Sequence, residues 1–272
     1  MKLMIRAACL SDPGRVRRKN EDNFYFGGYC MPEANTGLRK PAYICRETGE
    51  VMWLAVFDGM GGESLGEAAA FAAASEMRRQ CETLPRPFMS ETRYISNVCM
   101  ALNAAVVNTA KQQAIRRHMG TTLAALYIAR RRVYVCNVGD SRVYRLRGKE
   151  LSQLSQDHVD GRPYPPGVKP PLMQHLGIDP EELLIRPYIA KGRIAEGDCY
   201  LLCSDGLTDM LTELQIADMM MRIPDVTACA EALVSAALDH GGRDNVTVIV
   251  CRIGGRNDLP HSSGHETQYV VK

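Results

Sequence analysis

The sequence predicts an α+β sandwich, with two packed antiparallel sheets and helices on the outside. Three observations carry that reading. Two short apolar runs, residues 51–57 and 200–203, each deliver the chain into an Asp-Gly pair, and both are bounded like buried strands. Between residues 120 and 151 the hydrophobic period is two and tight turns recur, which favours antiparallel pairing. Long helical patterns stand between the strand groups and do not alternate with single strands, so β-α-β units are not indicated.

The chain has 272 residues, 46% hydrophobic and 24% charged, enough to bury a substantial core. A net charge of +2 gives no argument for nucleic acid or an anionic membrane surface. No apolar run approaches a membrane span, and residues 1–6 hold no signal-peptide core. The ten cysteines are scattered singly with no C-x-x-C pair, and Cys99, Cys136, Cys199, Cys203 and Cys251 sit inside apolar runs. They read as buried free thiols in a reducing compartment, so a cytoplasmic location is expected and zinc is not.

Residues 7–10 form a short apolar segment that ends at the turn Ser11-Asp12-Pro13-Gly14. The charged stretch 15–23 reads, taken alone, as a solvated loop before a strand at 24–26. Residues 27–50 are a turn-rich insertion with a strand near Tyr43. Seven unbroken apolar residues, 51–57, then make the opening strand, followed by Asp58 and three glycines within the next four positions. Ser64 with Glu67 fits a capping box ahead of an alanine-rich helix to about Glu82, and Pro85 and Pro87 stop it. A second helix, about 90–118, places Ile95, Val98, Leu102, Val106 and Ala110 on one face.

Strands follow at 121–129, 132–138 and 141–146, with Gly139-Asp140 as a hairpin turn between the last two. Residues 156–174 are irregular and rich in proline. After the strand at 200–203, Thr212 with Gln215 caps one helix, and Pro224-Asp225 opens another that ends at Gly241-Gly242. Asp244-Asn245 leads into the last strand, 246–250. A domain over 1–254 and a polar, disordered tail over 255–272 are expected.

An Asp-Gly pair alone is a turn. Repetition changes its meaning. In such a sandwich Asp58, Asp205 and Asp244 each flank the end of a buried strand, and Asp140 occupies a turn. Several carboxylates at one end of the molecule repel unless a cation neutralises them. With no His or Cys in the set, the hard oxygen donors suit Mg²⁺ or Mn²⁺. Two such ions sharing a carboxylate and a bridging water are an arrangement for in-line hydrolysis of phosphate esters, with a nearby arginine to hold the phosphate.

Nine motifs in order carry a resemblance: Arg17 with Asn20-Glu21-Asp22, Asp58-Gly59-Met60-Gly61-Gly62, Gly66-Glu67, Gly120-Thr121-Thr122, Val138-Gly139-Asp140-Ser141-Arg142, Asp157-His158, Leu176-Gly177, Ser204-Asp205-Gly206-Leu207 and Asp244-Asn245-Val246-Thr247. Over residues 5–253 the chain resembles the metal-dependent protein Ser/Thr phosphatases (PPM, or PP2C-type) in their bacterial single-domain form. The resemblance implies a four-layer αββα sandwich with a metal cluster in the cleft at one end. Carried over by position, Asp58 bridges two Mn²⁺ or Mg²⁺ ions, Asp205 and Asp244 complete one shell, and Glu21 and the Gly59 carbonyl serve the other. Asp22 acts through water, Asn245 orients Asp244, Asp140 with Asp205 holds a weaker third ion, and Arg17 clamps the substrate phosphate.

Met60 stands where some relatives have a histidine assigned as general acid, so a metal-bound water is the expected proton donor here. The flap, 160–174, is short and proline-laden, and His158 is read as a hydrogen-bonded structural residue. The implied partners are phosphorylated protein substrates and a Ser/Thr kinase that opposes the reaction. A monomer is expected, with no nucleic acid or membrane partner. A non-catalytic phosphoprotein-binding module on the same scaffold is the alternative, and a hydrolase of small phosphorylated metabolites is a third reading.

Overall fold

The computed structural model describes residues 3–61, 65–82, 89–113, 119–165 and 168–255. Ser64, Pro85, Pro87, His118, Pro166 and the expected tail from 256 onward lie outside the described residues. In chain order the elements are β1 (Met4–Asp12), β2 (Asp22–Phe26), β3 (Ala42–Glu47), β4 (Met52–Met60), α1 (Leu65–Glu82), α2 (Glu91–Gln112), β5 (Gly120–Thr121), β6 (Leu123–Ala129) and β7 (Arg132–Val138). They continue with β8 (Arg142–Arg147), β9 (Glu150–Gln153), β10 (Tyr188–Arg193), β11 (Cys199–Cys203), α3 (Asp205–Thr208), α4 (Glu213–Arg222), α5 (Val226–Asp239) and β12 (Val246–Gly254).

The strands form two antiparallel sheets. One runs β3-β1-β12-β11-β8-β9, and the other runs β10-β7-β6-β4-β2 with β5 extending β4. Period-two alternation on strands apolar on both faces makes three cores from two sheets. On β4, Leu54 and Val56 face the other sheet while Trp53, Ala55 and Phe57 face α1 and α2. On β12, Ile249, Cys251 and Ile253 face between the sheets, and Val246, Val248 and Val250 face α4 and α5. The layers are therefore helix, sheet, sheet, helix, as expected.

The helical periodicity reads correctly. Ile95, Val98, Leu102 and Val106 of α2 are buried against sheet and α1, with Ala110 at the margin. Each such side chain contributes about 1.5–3 kcal/mol on burial. Thr212 and Gln215 make both bonds of a capping box, and Asp225 accepts from the Ala228 amide at 2.8 Å at the start of α5. Cys99, Cys136, Cys199, Cys203 and Cys251 are buried free thiols. No described helix is long and apolar enough to cross a membrane.

Three expectations are corrected. Gly139-Asp140 is not a hairpin turn: β7 pairs with β6 and β10, whereas β8 pairs with β11 and β9. The turn is a corner that carries the chain between sheets, with Gly139 at φ +102°. Consecutive apolar strands look alike from sequence whether they pair or cross over. Strand β10 was not expected, because Tyr188–Arg193 is a half-exposed edge strand of mixed polarity that contains Gly192. Strand β1 is longer than residues 7–10, because Ile5 and the Arg6 backbone continue the ladder with β12 and β3.

Candidate metal centre

Sheet ends and corners place the candidate acids. Asp22 opens β2, Asp58 lies near the end of β4, Asp140 sits in the β7–β8 corner, Asp205 opens α3, and Asp244 precedes β12. Asp22 and Asp58 are direct cross-strand partners. The Gly120-Thr121-Thr122 motif fixes Asp58 from below. Thr122 Oγ1 accepts from the Asp58 amide at 3.1 Å, the Asp58 carbonyl accepts from the Thr122 amide at 2.9 Å, and Thr121 Oγ1 donates to that carbonyl at 2.9 Å. Thr122 also shares a 2.6 Å hydroxyl contact with Ser141, which ties the Asp140 corner to the Asp58 strand.

Asp22 is held by Ser204, whose hydroxyl donates to Oδ2 at 2.7 Å and accepts from the Thr247 amide at 3.0 Å. Asn245 acts on Glu21 through its side chain, and on Asp244 only through its backbone. Its Oδ1 accepts from the Glu21 amide at 2.7 Å, its Nδ2 donates to the carbonyls of Pro13 and Lys19 at 2.8 Å, and its own amide donates to Asp244 Oδ1 at 2.9 Å. Gly59 is required by crowding: a Cβ there would lie 2.2 Å from the Gly66 carbonyl oxygen and 2.6 Å from that of Glu21. His158 is structural, as expected. Its Nδ1 accepts from the Gly139 amide at 3.1 Å, and loss of water contact lowers its pKa. Met60 ends β4 opposite Gly120.

The acids bear on one another's ionisation. Desolvation, and then the charges of Asp205, Asp22, Asp140 and Asp244, drive the Asp58 carboxyl well above its ordinary range. Asp22 is pushed from 3.8 to about 7 by desolvation, which outweighs its hydroxyl hydrogen bonds. Asp140 rises to about 6 through desolvation and the charge of Asp205, against the pull of Lys169. Glu21 is raised by desolvation, with Arg17 opposing.

Protein cations engage two of the acids. Arg17 donates to Asp244 Oδ2 at 2.6 Å, and Lys169 contacts Asp205 and reaches Asp209 at 2.6 Å. Lys19 pairs with Glu67 at 3.0 Å. Among the described residues no group of three or more His, Cys, Asp or Glu side chains is arranged to hold a metal ion. The donor chemistry nevertheless fits a hard divalent cation: the set is all oxygen and its members repel one another. Asp209 and Lys169 are residues of the candidate site that the sequence motifs do not include, and Ser204, part of one motif, gains its role as the partner of Asp22 only from the structure. Asp209 stands four residues after Asp205, a spacing that signals it, whereas Lys169 lies in an aperiodic loop that carries no such signal.

An αββα sandwich with an acidic, all-oxygen cluster at one end is the class of protein that fold and site define. The family model for protein phosphatase 2C matches residues 42–239, and the chain belongs to that family. The serine/threonine protein phosphatase PstP of Mycobacterium tuberculosis is 30% identical over 267 residues, covering 92% of this chain and 45% of that protein. This chain therefore spans less than half the length of that relative. The serine/threonine phosphatase stp of Listeria welshimeri is 30% identical over 263 residues, covering 90% of this chain and 95% of the relative. Among solved structures, the catalytic domain of PstP in complex with two manganese ions matches with a TM-score of 0.75 and 31% identity, covering 93% of this chain and 100% of that one.

Proposed function

We propose that this protein is a serine/threonine protein phosphatase that hydrolyses phosphoserine and phosphothreonine esters with Mn²⁺ or Mg²⁺. The carrying observation is that Asp58 pairs directly with Asp22 across the strands and has Asp140, Asp205 and Asp244 within electrostatic reach. A divalent pair bound there supplies an activated water and neutralises charge on the transferring phosphoryl group. Asp58, Asp205, Asp244, Glu21 and the Gly59 carbonyl are the residues that would hold it, and a weaker third ion would use Asp140 with Asp205. Asp22, tied down by Ser204, positions solvent beside them. Arg17 already sits among these acids, half-exposed, and its fork matches a phosphate monoester.

Retention of Arg17, Glu21, Asp58, Asp205 and Asp244 together weighs against a non-catalytic phosphoprotein-binding module. The names of the relatives support phosphoproteins as the substrate class, with an opposing kinase as the natural partner. The proposal includes a monomeric domain of residues 1–254 acting in the cytoplasm. The test is hydrolysis of a phosphothreonine peptide with Mn²⁺ and with EDTA, set against sugar phosphates and nucleotides. Turnover of the peptide that depends on Mn²⁺ supports the reading. Equal rates in EDTA, or turnover of the small metabolites alone, overturns it.

A further inference from the structure

The proline-rich segment after β9 is a strap with a fixed base. Val159 and Leu172 form a bridge, the Asp160 amide donates to the Pro171 carbonyl at 3.0 Å, and the Met173 amide donates to the His158 carbonyl at 2.8 Å. His158 roots that base on the acidic cluster: its amide donates to the Gly139 carbonyl at 3.0 Å while its ring accepts from the Gly139 amide. The residue after Gly139 is Asp140. The strap and the Asp140 corner therefore hang on one pin. Pro170 and Pro171 directly follow Lys169 and restrict φ there, so holding Lys169 in place costs less ordering than it would in a flexible loop.

The strap delivers one cation. Lys169 Nζ bridges Asp205 Oδ2 and Asp209 Oδ2, the acids that open and close the single turn of α3. Asp205 is 19% exposed and Asp209 35%, while the Lys169 side chain remains 51% exposed. A point-charge ammonium with no rigid fork is well suited to a bridge that another cation can displace. An ion that takes Asp205 as a ligand competes for the same carboxylate.

We propose that Lys169 is a tethered counter-cation that competes with divalent metal for Asp205 and Asp209, and so sets the metal affinity of this end of the cluster. The proposal rests on the assignment of Asp205 as a metal ligand in the phosphatase reading. Lys169 neutralises the Asp205–Asp209 pair when it is seated, and metal loading releases its ammonium from the pair. Arg17 makes a comparable contact with Asp244.

The experiment titrates the full chain with MnCl₂ by calorimetry and follows free Mn²⁺ by electron paramagnetic resonance. Wild type is set beside Lys169→Met, Lys169→Gln and Lys169→Arg, with circular dichroism as the check on folding. Removal of the charge should tighten the weakest-bound Mn²⁺ by about fivefold, the upper range for one partly exposed ion pair. It should also lower the melting temperature in EDTA. Lys169→Arg should behave as wild type. Unchanged or weaker Mn²⁺ binding in both neutral variants, with wild-type binding intact, overturns the inference and leaves the phosphatase reading standing. Absence of any Mn²⁺ binding by wild type overturns both. A structural role alone predicts lower melting temperatures without tighter Mn²⁺ binding.

Discussion

Asp22 and Asp58 face each other directly across the β2–β4 ladder, one carboxylate opposite another. Like charges in that position oppose folding. Ser204 offsets part of the cost by donating to Asp22 at 2.7 Å, yet the Asp22 pKa still stands at about 7. The fold thus maintains a repulsive pair at the end of its central strands, where a divalent cation would convert repulsion into binding.

Asp58→Asn removes one charge of that pair. Metal-free protein should melt about 2 °C higher, because the repulsion is relieved while the Thr121 and Thr122 bonds to the Asp58 backbone remain. Mn²⁺-dependent hydrolysis of p-nitrophenyl phosphate should fall by more than about 100-fold. Calorimetric melts in EDTA and initial rates in Mn²⁺ check the two halves, and full activity in the variant contradicts the assignment of Asp58.

The pH dependence of stability has a definite sign. Asp22 and Asp140 hold their protons more tightly in the folded chain, with values raised from 3.8 to about 7 and about 6. Between about pH 4 and about pH 7 the folded state therefore binds more protons than the unfolded state, and stability in EDTA falls as pH rises through that window. Below it both states are protonated, the slope vanishes and the contribution to stability is fully present. Saturating Mn²⁺ should reverse the slope, because ions bind the ionised acids of the folded state. Melting temperatures from pH 4.5 to 7.5, with EDTA or Mn²⁺, test this. A rising EDTA curve attributable to these acids contradicts it.

Asn245 joins β12 to the loop that presents Glu21. Asn245→Ala leaves the Glu21 amide and the Pro13 and Lys19 carbonyls without their side-chain partner. The expected cost is about 3 kcal/mol. Asn245→Asp keeps one acceptor for Glu21 but adds a charge beside Asp244, so it should recover stability only in Mn²⁺. Urea unfolding of both variants measures these effects.

Arg17→Ala removes the guanidinium proposed to hold the phosphate and also the 2.6 Å contact to Asp244. KM for a phosphothreonine peptide should rise by about tenfold, with a smaller fall in kcat, because this binding is shared by ground and transition states. An unchanged KM would make Arg17 only a partner of Asp244.

Much of this site was legible in the residues. Asp58, Asp205 and Asp244 follow or precede apolar runs, and burial on both faces of β4 and β12 explains why those runs are continuous rather than alternating. The α2 face and the Thr212 cap follow from local periodicity and hydrogen bonding, which depend on near neighbours in sequence. Long-range placement was not legible. Nothing local distinguishes a hairpin at Gly139-Asp140 from a corner between sheets, because partner choice is made by β6, β10 and β11. The same holds for Lys169, whose partners lie 36 and 40 residues away in a helix that sequence periodicity is too short to reveal.

Anomalous diffraction from crystals grown with MnCl₂ addresses the central claim most directly. The account predicts manganese peaks within coordination distance of Asp58, with Asp205 and Asp244 turned from Lys169 and Arg17 toward the ions. Well-ordered crystals that bind manganese only elsewhere, with Asp244 still on Arg17 and Asp205 still on Lys169, would contradict it.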